Sequence, residues 1–247
     1  MRDLAIIIPS RLAAVRFPNK PLMKINNKEM ILHVHQTAIK SDVGEVYVVS
    51  PDEEILKLIK QNGGNAIKSL KSHETGTDRV YEAYDKFLKK KNDIIINLQG
   101  DMPNLKPSTI IKLNKHLERG SCDMATLASS IKNESENKNK NIVKVITKEN
   151  IKVSGVSKAT DFERDPVSDE KLFFYHHIGI YGFTKNALNK YINLKRSNLE
   201  LRRNLEQMRA LENNMKIDVL YTDSDPLSVD TQDDLEEIKN LMEKKNV

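Results

Sequence analysis

Three cationic side chains lie in the loop that follows the first apolar segment of the chain. Arg11, Arg16 and Lys20 come shortly after the apolar run 4–8. Guanidinium and ammonium groups form charge-assisted hydrogen bonds with phosphate oxygens, and ligands of an open α/β sheet bind beyond the carboxyl ends of its strands. The loop lacks the glycines and the Gly-Lys-Ser/Thr ending of a Walker loop. The pattern therefore predicts a phosphate site of another kind, rather than an ordinary basic surface loop.

One aspartate lies in a turn that is suited to holding a divalent cation. Asp101 follows the strand-like run 93–98, and Mg²⁺ prefers one or two carboxylates together with phosphate oxygens and water. An isolated aspartate in such a place is more often a simple turn residue. Asp230, just before the last helical segment, is typical of a helix cap. The two aspartates are far apart in the sequence, so only the fold could bring them together.

A helix start rich in capping residues is predicted in the segment 73–79, which reads HETGTDR. Thr75, Thr77 and Asp78 are good N-cap types. Free amides at a helix N-terminus attract anions, although most such caps are only structural. From the residues alone, the segment is therefore a turn and a helix start that could attract an anion.

The first half of the chain alternates strand and helix patterns at short spacing. Strands are predicted at 4–8, 45–50, 65–70 and 93–98. Helices are predicted at 30–40, 52–61, 77–89 and 106–118. This alternation predicts an α/β fold with an open, doubly wound, mostly parallel sheet.

The second half of the chain has a different sequence pattern, with more polar segments and more segments in which apolar and polar residues alternate. Strands are predicted at 125–131, 178–183 and 216–221, and helices at 186–191, 200–212 and 233–244. Residues 132–141 are predicted to be a mobile polar loop, and 142–156 a hairpin with one solvated or dimer-facing side. We expect one domain, 1–247, with a small β-rich dimerisation and acceptor excursion at about 125–183.

Composition limits the compartment and the partners. The net charge is +5, from 40 basic and 35 acidic residues that are scattered along the chain, which argues against a nucleic-acid partner. Cys122 is the single cysteine, so an intrachain disulfide or a zinc site built on cysteines is excluded, and we expect Cys122 to have a packing role. The first apolar run is too short for a signal peptide or a membrane span. We expect a cytoplasmic protein with no membrane partner.

These motifs resemble those of the sugar-nucleotide cytidylyltransferases, and in particular the 3-deoxy-manno-octulosonate (Kdo) cytidylyltransferases, or CMP-Kdo synthetases. The loop PSRLAAVRFPNKPL at 9–22 resembles the family's I-P-A-R-x-x-S-x-R-x-P-x-K-P-L. HETGTDR at 73–79, QGDMP at 99–103 and SVDTQDDL at 228–235 resemble H-x-S-G-T-[DE]-R, Q-G-D-x-P and G-V-D-T-x-x-D-L. HIGIYGF at 177–183 and LEQMR at 205–209 are similar to the family's sugar-side motifs.

The resemblance implies a nucleotide-diphospho-sugar transferase-like fold, an Mg²⁺ cofactor and a homodimer. Its implied catalytic residues are Arg11, Lys20, Asp101 and Asp230, and its implied metal ligands are Asp101 and Asp230. Its implied nucleotide-binding residues are Pro9, Ser10, Arg11, Lys20, Thr75, Gly76, Thr77, Arg79, Gln99 and Asp101. Its implied sugar-binding residues are Gln99, Lys158, Arg164, His177, Tyr181, Glu206 and Gln207.

The implied reaction transfers CMP from CTP to the anomeric hydroxyl of Kdo, releasing pyrophosphate, for lipopolysaccharide synthesis. In the part of the chain that would bind the sugar, four positions depart from the family pattern: Met102, Lys158, His176 and Arg203 stand where Glu, Arg, Arg and Glu are common. The acceptor therefore stays open between Kdo, 8-amino-Kdo and a sialic-acid-like sugar. A non-catalytic nucleotide-binding protein is the alternative of another class, although Lys20 and both aspartates are present.

Overall fold

The computed structural model describes residues 3–13, 16–70, 72–89, 91–120, 122–169 and 171–243. The chain divides into two compact units: the first combines Met1–Ile111 with Pro226–Val247, and the second is Lys112–Asp225. The excursion that we expected at about 125–183 lies inside the second unit. No helix within the described ranges combines the length and the apolar character needed to cross a membrane.

The described residues form eleven strands and ten α-helices. The strands are β1 (Leu4–Pro9), β2 (Lys24–Ile25), β3 (Lys28–Glu29), β4 (Glu45–Ser50), β5 (Asn65–Lys68), β6 (Ile94–Leu98), β7 (Met124–Ser129), β8 (Lys144–Thr147), β9 (Val156–Glu163), β10 (Phe173–Thr184) and β11 (Ile217–Tyr221). The helices are α1 (Met30–Ser41), α2 (Glu53–Gln61), α3 (Gly76–Ala83), α4 (Pro107–Glu118), α5 (Glu134–Lys138), α6 (Ile151–Ser154), α7 (Lys185–Ile192), α8 (Asn198–Arg203), α9 (Gln207–Glu212) and α10 (Gln232–Glu243).

The first unit contains a parallel sheet with the strand order β5-β4-β1-β6. Every residue of β1 and β6 is buried, as expected for strands that are covered on both faces. The predicted α/β fold with a mostly parallel sheet is confirmed. Because the strands are parallel, the loops after β1 and β6 leave the sheet at the same edge. The loop after β1 is the predicted phosphate loop, and the loop after β6 contains Asp101.

The strands of the second unit are mostly antiparallel and close into a ring. β7 pairs with β10 and β11, β9 pairs with β11 and β8, and β8 pairs with the first residues of β10. β10 is twelve residues long, twice the length predicted from residues 178–183. It is therefore long enough to pair with two strands. Its first residues pair with β8, and its later residues pair with β7.

Three predictions for the second unit were wrong in detail. The polar segment 132–141 contains α5, which Asn133 caps by accepting a hydrogen bond from the amide of Glu136. The hairpin predicted at 142–156 is interrupted by α6, and its first strand, β8, has no exposed face because all four residues are buried. The helix predicted at 200–212 breaks into α8 and α9 at Asn204, which adopts a left-handed φ of 53°.

Candidate active site

The loop after β1 is folded back on itself before it reaches Lys20. The amide of Ser10 donates to Val49 O at 2.9 Å, and the amide of Asn19 donates to Leu12 O at 3.0 Å. Asn19 has a left-handed φ of 60°, and a single 3₁₀ turn, Lys20–Leu22, follows. Asparagine tolerates this conformation better than most residues, so the turn directs Lys20 into the site.

Lys20 joins the two aspartates that the sequence singled out. Its Nζ donates to Asp101 Oδ2 at 2.8 Å, to Asp230 Oδ1 at 3.2 Å and to Val229 O at 2.9 Å. Arg16 approaches the other oxygen of Asp230 at 3.0 Å. Burial alone would lower the pKa of Lys20, but the charges of Asp101 and Asp230 outweigh it and raise that pKa. The ammonium therefore stays charged.

Packing beside Asp230 holds its turn in place. Val229 is fully buried in an apolar cluster with Ile25, Met30, Leu235 and Ile238. The amide of Val229 donates to Asp101 O at 2.9 Å, which ties the two aspartate turns together. The sequence showed only that the fold would have to bring these carboxylates together, and this hydrogen bond is part of how it does so.

The donor set at this point fits a magnesium ion. Two carboxylates from separate turns converge on one cationic group, and both are only partly exposed. Mg²⁺ takes one or two protein carboxylates and fills its remaining positions with phosphate oxygens and water. Asp101 and Asp230 are therefore the residues that would hold it.

The segment HETGTDR begins α3 with a complete capping box. Thr75 Oγ1 accepts from the amide of Asp78, and the Asp78 carboxylate accepts from the amide of Thr75. Gly76 lies close against its neighbours: a Cβ there would lie 3.2 Å from Gln99 Nε2 and 3.5 Å from Pro9 Cγ. The structure thus brings together Pro9, Gly76 and Gln99, three of the residues predicted to bind nucleotide.

A short chain of buried hydrogen bonds sets the orientation of Gln99. Gln99 Nε2 donates to Asn97 Oδ1 at 3.1 Å, and Asn97 Nδ2 donates to Thr77 Oγ1 at 2.9 Å. Thr77 and Asn97 are buried, so Thr77 supports the site from below and is not an exposed contact residue. The sequence analysis missed Asn97, whose signal is a polar residue near the end of an otherwise apolar strand.

Arg79 is a buried cation with an unsatisfied nitrogen. The residue is 5 % exposed, and its Nη1 has no hydrogen-bond partner among the described residues. Burial lowers the pKa of Arg79, and the positive charge of Arg11 lowers it further. Two guanidinium groups held near one another, one of them buried, favour an anion between them. Arg11 itself is exposed. Ser10 is buried, and its Oγ has no hydrogen-bond partner among the described residues.

A buried carboxylate anchors the segment that leads into α3. Glu82 accepts from Ser69 Oγ at 2.9 Å, from the amide of Leu70 at 3.0 Å and from His73 Nε2 at 2.6 Å. Burial opposes ionisation, but the hydrogen bonds from His73 and its neighbours lower the pKa of Glu82 to about 2. The sequence analysis did not single out Glu82, since nothing in a helical Glu distinguishes it from a surface residue.

The second unit contains a cluster of predicted sugar-binding residues around His177. The His177 ring lies 2.9 Å from Thr126 Oγ1, 5.0 Å from the Phe162 ring centre and 5.6 Å from that of Tyr181. Burial, then the charges of His176 and Arg164, lowers the pKa of His177 to about 3. His177 is therefore neutral near pH 7 and acts as a hydrogen-bonding group rather than a cation. Thr126, which the sequence analysis missed, holds it.

Tyr181 and Gln207 extend this cluster. Tyr181 donates to Gln207 Oε1 at 3.0 Å, and burial raises the pKa of Tyr181 well above its usual value, with the charge of Glu206 adding to the rise. Gln207 is 2 % exposed, and its Nε2 has no partner among the described residues. The break at Asn204 starts α9 at Gln207, so this unpaired donor lies on the first turn of a new helix.

Two of the remaining sugar-side residues lie in different surroundings. Arg164 is near the cluster, where its charge influences both His177 and Tyr181, and it donates to backbone carbonyls such as Arg203 O. Lys158 instead forms an ion pair with Asp218, which also binds His116. The described contacts do not bring Lys158 to His177, and its sugar-binding role stays a prediction.

The positions that depart from the family pattern are all engaged within the protein. Met102 is buried. His176 Nδ1 lies 3.5 Å from Asp225 Oδ1. Arg203 donates to Asp161 Oδ1 at 2.5 Å and to Phe162 O at 2.9 Å, so its charge is neutralised locally.

Comparison with known proteins identifies the family of the chain. The sequence profile described as "Cytidylyltransferase" matches residues 5–217. A 3-deoxy-manno-octulosonate cytidylyltransferase of Bartonella tribocorum is 39 % identical over 242 residues, covering 96 % of this chain and 97 % of the relative. The enzyme of the same name from Rickettsia felis is 37 % identical and covers 98 % and 96 %.

A solved structure agrees with these relatives. The chain is similar to a CMP:2-keto-3-deoxy-manno-octonic acid synthetase complexed with CTP, with a TM-score of 0.87 and 31 % identity. The similarity covers 98 % of this chain and 99 % of that one. The chain belongs to the cytidylyltransferase family of nucleotidyltransferases, among the 3-deoxy-manno-octulosonate cytidylyltransferases.

Proposed function

We propose that this protein transfers CMP from CTP to the anomeric hydroxyl of Kdo, giving CMP-Kdo and pyrophosphate. The observation that carries the proposal is the convergence of Asp101 and Asp230 on Lys20, at the edge of the sheet where the phosphate loop begins. Both turns are fixed by backbone hydrogen bonding, so the site is preorganised. The names of the full-length relatives supply the reaction and the sugar.

The proposed mechanism is a direct displacement at the α-phosphorus. The sugar hydroxyl oxygen forms the new bond to phosphorus, the bond to pyrophosphate breaks, and no covalent enzyme intermediate forms. Catalysis then consists mainly of alignment and charge neutralisation. Lys20, Arg11 and Arg79 bind triphosphate oxygens, and Gln99 contributes a hydrogen bond. Mg²⁺ held by Asp101 and Asp230 would neutralise phosphate charge and lower the pKa of the attacking hydroxyl.

The sugar side of the proposal rests on the His177 cluster. A neutral imidazole, a phenol and an amide with an unpaired donor are suited to binding sugar hydroxyls, because each has a fixed direction and no net charge. Arg164 supplies positive charge near this cluster, as an acidic sugar requires. We also propose that the protein acts as a cytoplasmic homodimer that supplies lipopolysaccharide synthesis, as the family resemblance implies.

Pyrophosphate release tests the reaction and the acceptor together. CTP and Mg²⁺ are supplied with Kdo, 8-amino-Kdo or N-acetylneuraminate separately, and we expect release with Kdo. Asp230→Asn should abolish the release, whereas Asp233→Asn, at an exposed position of the same segment, should leave it unchanged.

The pattern of outcomes separates the alternatives. Pyrophosphate release only with 8-amino-Kdo or N-acetylneuraminate would support the same reaction with a different acceptor sugar. CTP binding without release from any sugar would instead favour a non-catalytic nucleotide-binding protein.

A further inference from the structure

Nitrogen, sulfur and oxygen donors meet in the second unit at residues with no part in the proposed reaction. His116 lies on α4, Cys122 lies in the loop between α4 and β7, and Asp218 lies on β11. One potential ligand atom of each residue, a ring nitrogen of His116, Sγ of Cys122 and a carboxylate oxygen of Asp218, lies within 4.8 Å of the other two. Cys122 as a residue keeps some exposed surface, but the cluster itself is buried.

Hydrogen bonds from backbone and side-chain groups hold the three segments of the cluster together. The amide of Lys216 donates to Asp123 Oδ2 at 2.9 Å, and the amide of Met124 donates to Lys216 O at 3.1 Å. These two contacts fasten the loop that bears Cys122 to the start of β11. His116 Nε2 lies 2.7 Å from Asp218 Oδ2, which positions the imidazole from the other side.

We propose that His116, Cys122 and Asp218 bind one thiophilic divalent cation of the Zn²⁺ class, with water as the fourth ligand. Three protein ligands and one open position are a common arrangement for tetrahedral Zn²⁺. This set needs only one cysteine, unlike the cysteine-built sites that the composition excludes, and it gives Cys122 a role beyond the packing role expected from the sequence. The mixed nitrogen, sulfur and oxygen set selects against Mg²⁺ and Ca²⁺, which prefer oxygen ligands only. The site is therefore chemically distinct from the proposed Mg²⁺ site of Asp101 and Asp230.

The ion would replace interactions that the metal-free protein makes among the same groups. Burial and the Asp218 charge raise the pKa of the Cys122 thiol to about 12, so the metal-free thiol is protonated and no activated nucleophile is present. Binding releases the thiol proton to solvent as the sulfur–metal bond forms. Lys158 contacts the other oxygen of Asp218, and a second partner on a ligating carboxylate is usual around metal sites. The bound ion would tie α4 to β11.

Cobalt absorption tests the proposal directly because the chain has a single cysteine. Co²⁺ is added to the full-length chain carrying no affinity tag, and the thiolate-to-cobalt charge-transfer band is followed. We expect a band that saturates at one ion per chain and disappears when Zn²⁺ is added. Cys122→Ser should remove the band, and His116→Ala should weaken Co²⁺ binding at least about 10-fold. Asp223→Asn, at an exposed position near β11, is the matched control and should leave the band unchanged.

The wild-type protein alone decides the outcome, so a variant that fails to fold does not leave the question open. Absence of the band at millimolar Co²⁺ would overturn the proposal. Co²⁺ binding without a thiolate band would also overturn it, because the ion would then lie elsewhere. A Zn²⁺-induced rise in melting temperature in wild type that persists in Cys122→Ser would lead to the same conclusion.

Discussion

Replacing Lys20 by methionine should strengthen Mg²⁺ binding to the nucleotide-free protein while abolishing turnover. Lys20 Nζ contacts both carboxylates that we propose as metal ligands. A divalent cation that arrives without a nucleotide must therefore compete with an ammonium group for the same oxygens. With CTP bound, the triphosphate offers Lys20 other partners, so the competition applies to the free protein.

The size of the effect follows from the burial of the three groups. The side chains of Lys20, Asp101 and Asp230 are 16 %, 23 % and 25 % exposed. Exposed ion pairs contribute about 0.2–1 kcal/mol, and breaking a buried pair costs about 3–5 kcal/mol. Because the three side chains are partly buried, each of the two contacts of Lys20 with Asp101 and Asp230 should contribute an intermediate value of about 1–1.5 kcal/mol. Displacing Lys20 from both carboxylates then costs about 2–3 kcal/mol. At 1.4 kcal/mol for each factor of ten, Mg²⁺ should bind Lys20→Met about 30- to 150-fold more tightly.

Titration calorimetry with Mg²⁺ and no nucleotide measures this difference. Lys24→Met removes the same charge from a nearby exposed position and should bind Mg²⁺ as wild type does. Thermal unfolding adds a second readout, since Lys20→Met removes the cation that Asp101 and Asp230 share, and the variant should be stabilised by Mg²⁺ more than wild type is. Equal Mg²⁺ affinity in Lys20→Met and wild type would refute the competition.

Three further predictions concern the buried polar groups. Glu200→Ala should lower the free energy of unfolding by about 3–5 kcal/mol in urea titrations, because Glu200 and Arg209 form a buried pair at 2.7 and 2.9 Å; a loss under 1 kcal/mol would argue against an energetically important pair. The pKa of the Glu82 carboxyl falls from 4.5 in the unfolded chain to about 2 in the folded protein, so the stability that its ionisation contributes is fully present above pH 4.5 and is lost as the pH falls toward 2. The free energy of unfolding of Glu82→Gln should therefore depend less on pH in this window than that of wild type. An equal pH dependence in the two proteins would contradict this. Tyr181→Phe should raise KM for the sugar about 5- to 10-fold through the lost bond to Gln207, with KM for CTP unchanged; parallel changes in both would place Tyr181 outside the sugar site.

The first unit was predictable because two of its strands, β1 and β6, are buried along their whole length. Such strands appear in sequence as uninterrupted apolar runs, and the helices between them have clear periodicity. The second unit was harder because β7 pairs with strands that are distant in sequence. Lys144 of β8 illustrates the difficulty: it reads as a surface lysine, yet it is fully buried and donates to Asn139 O, Ile142 O and Arg164 O.

The site itself was only partly predictable. Motifs with charged residues identified Lys20, Asp101 and Asp230, and the fold brings the three together. The residues that hold others in place were missed because their hydrogen bonds are internal. Thr126 has no motif of its own and becomes visible only when its contact with His177 is known.

The ring of strands in the second unit bears on how the chain is made. β7 needs β11 as a neighbour, and 93 positions separate Asp123 from its contact Lys216 at the starts of these strands. At about 5–20 residues per second, a ribosome takes roughly 5–20 s to bridge that interval. During this time β7 of the nascent chain has an unpaired edge, and such edges are prone to pairing with other chains. Synthesis speed and chaperone access over this stretch should therefore influence the yield of folded protein more than the stability of the finished ring does.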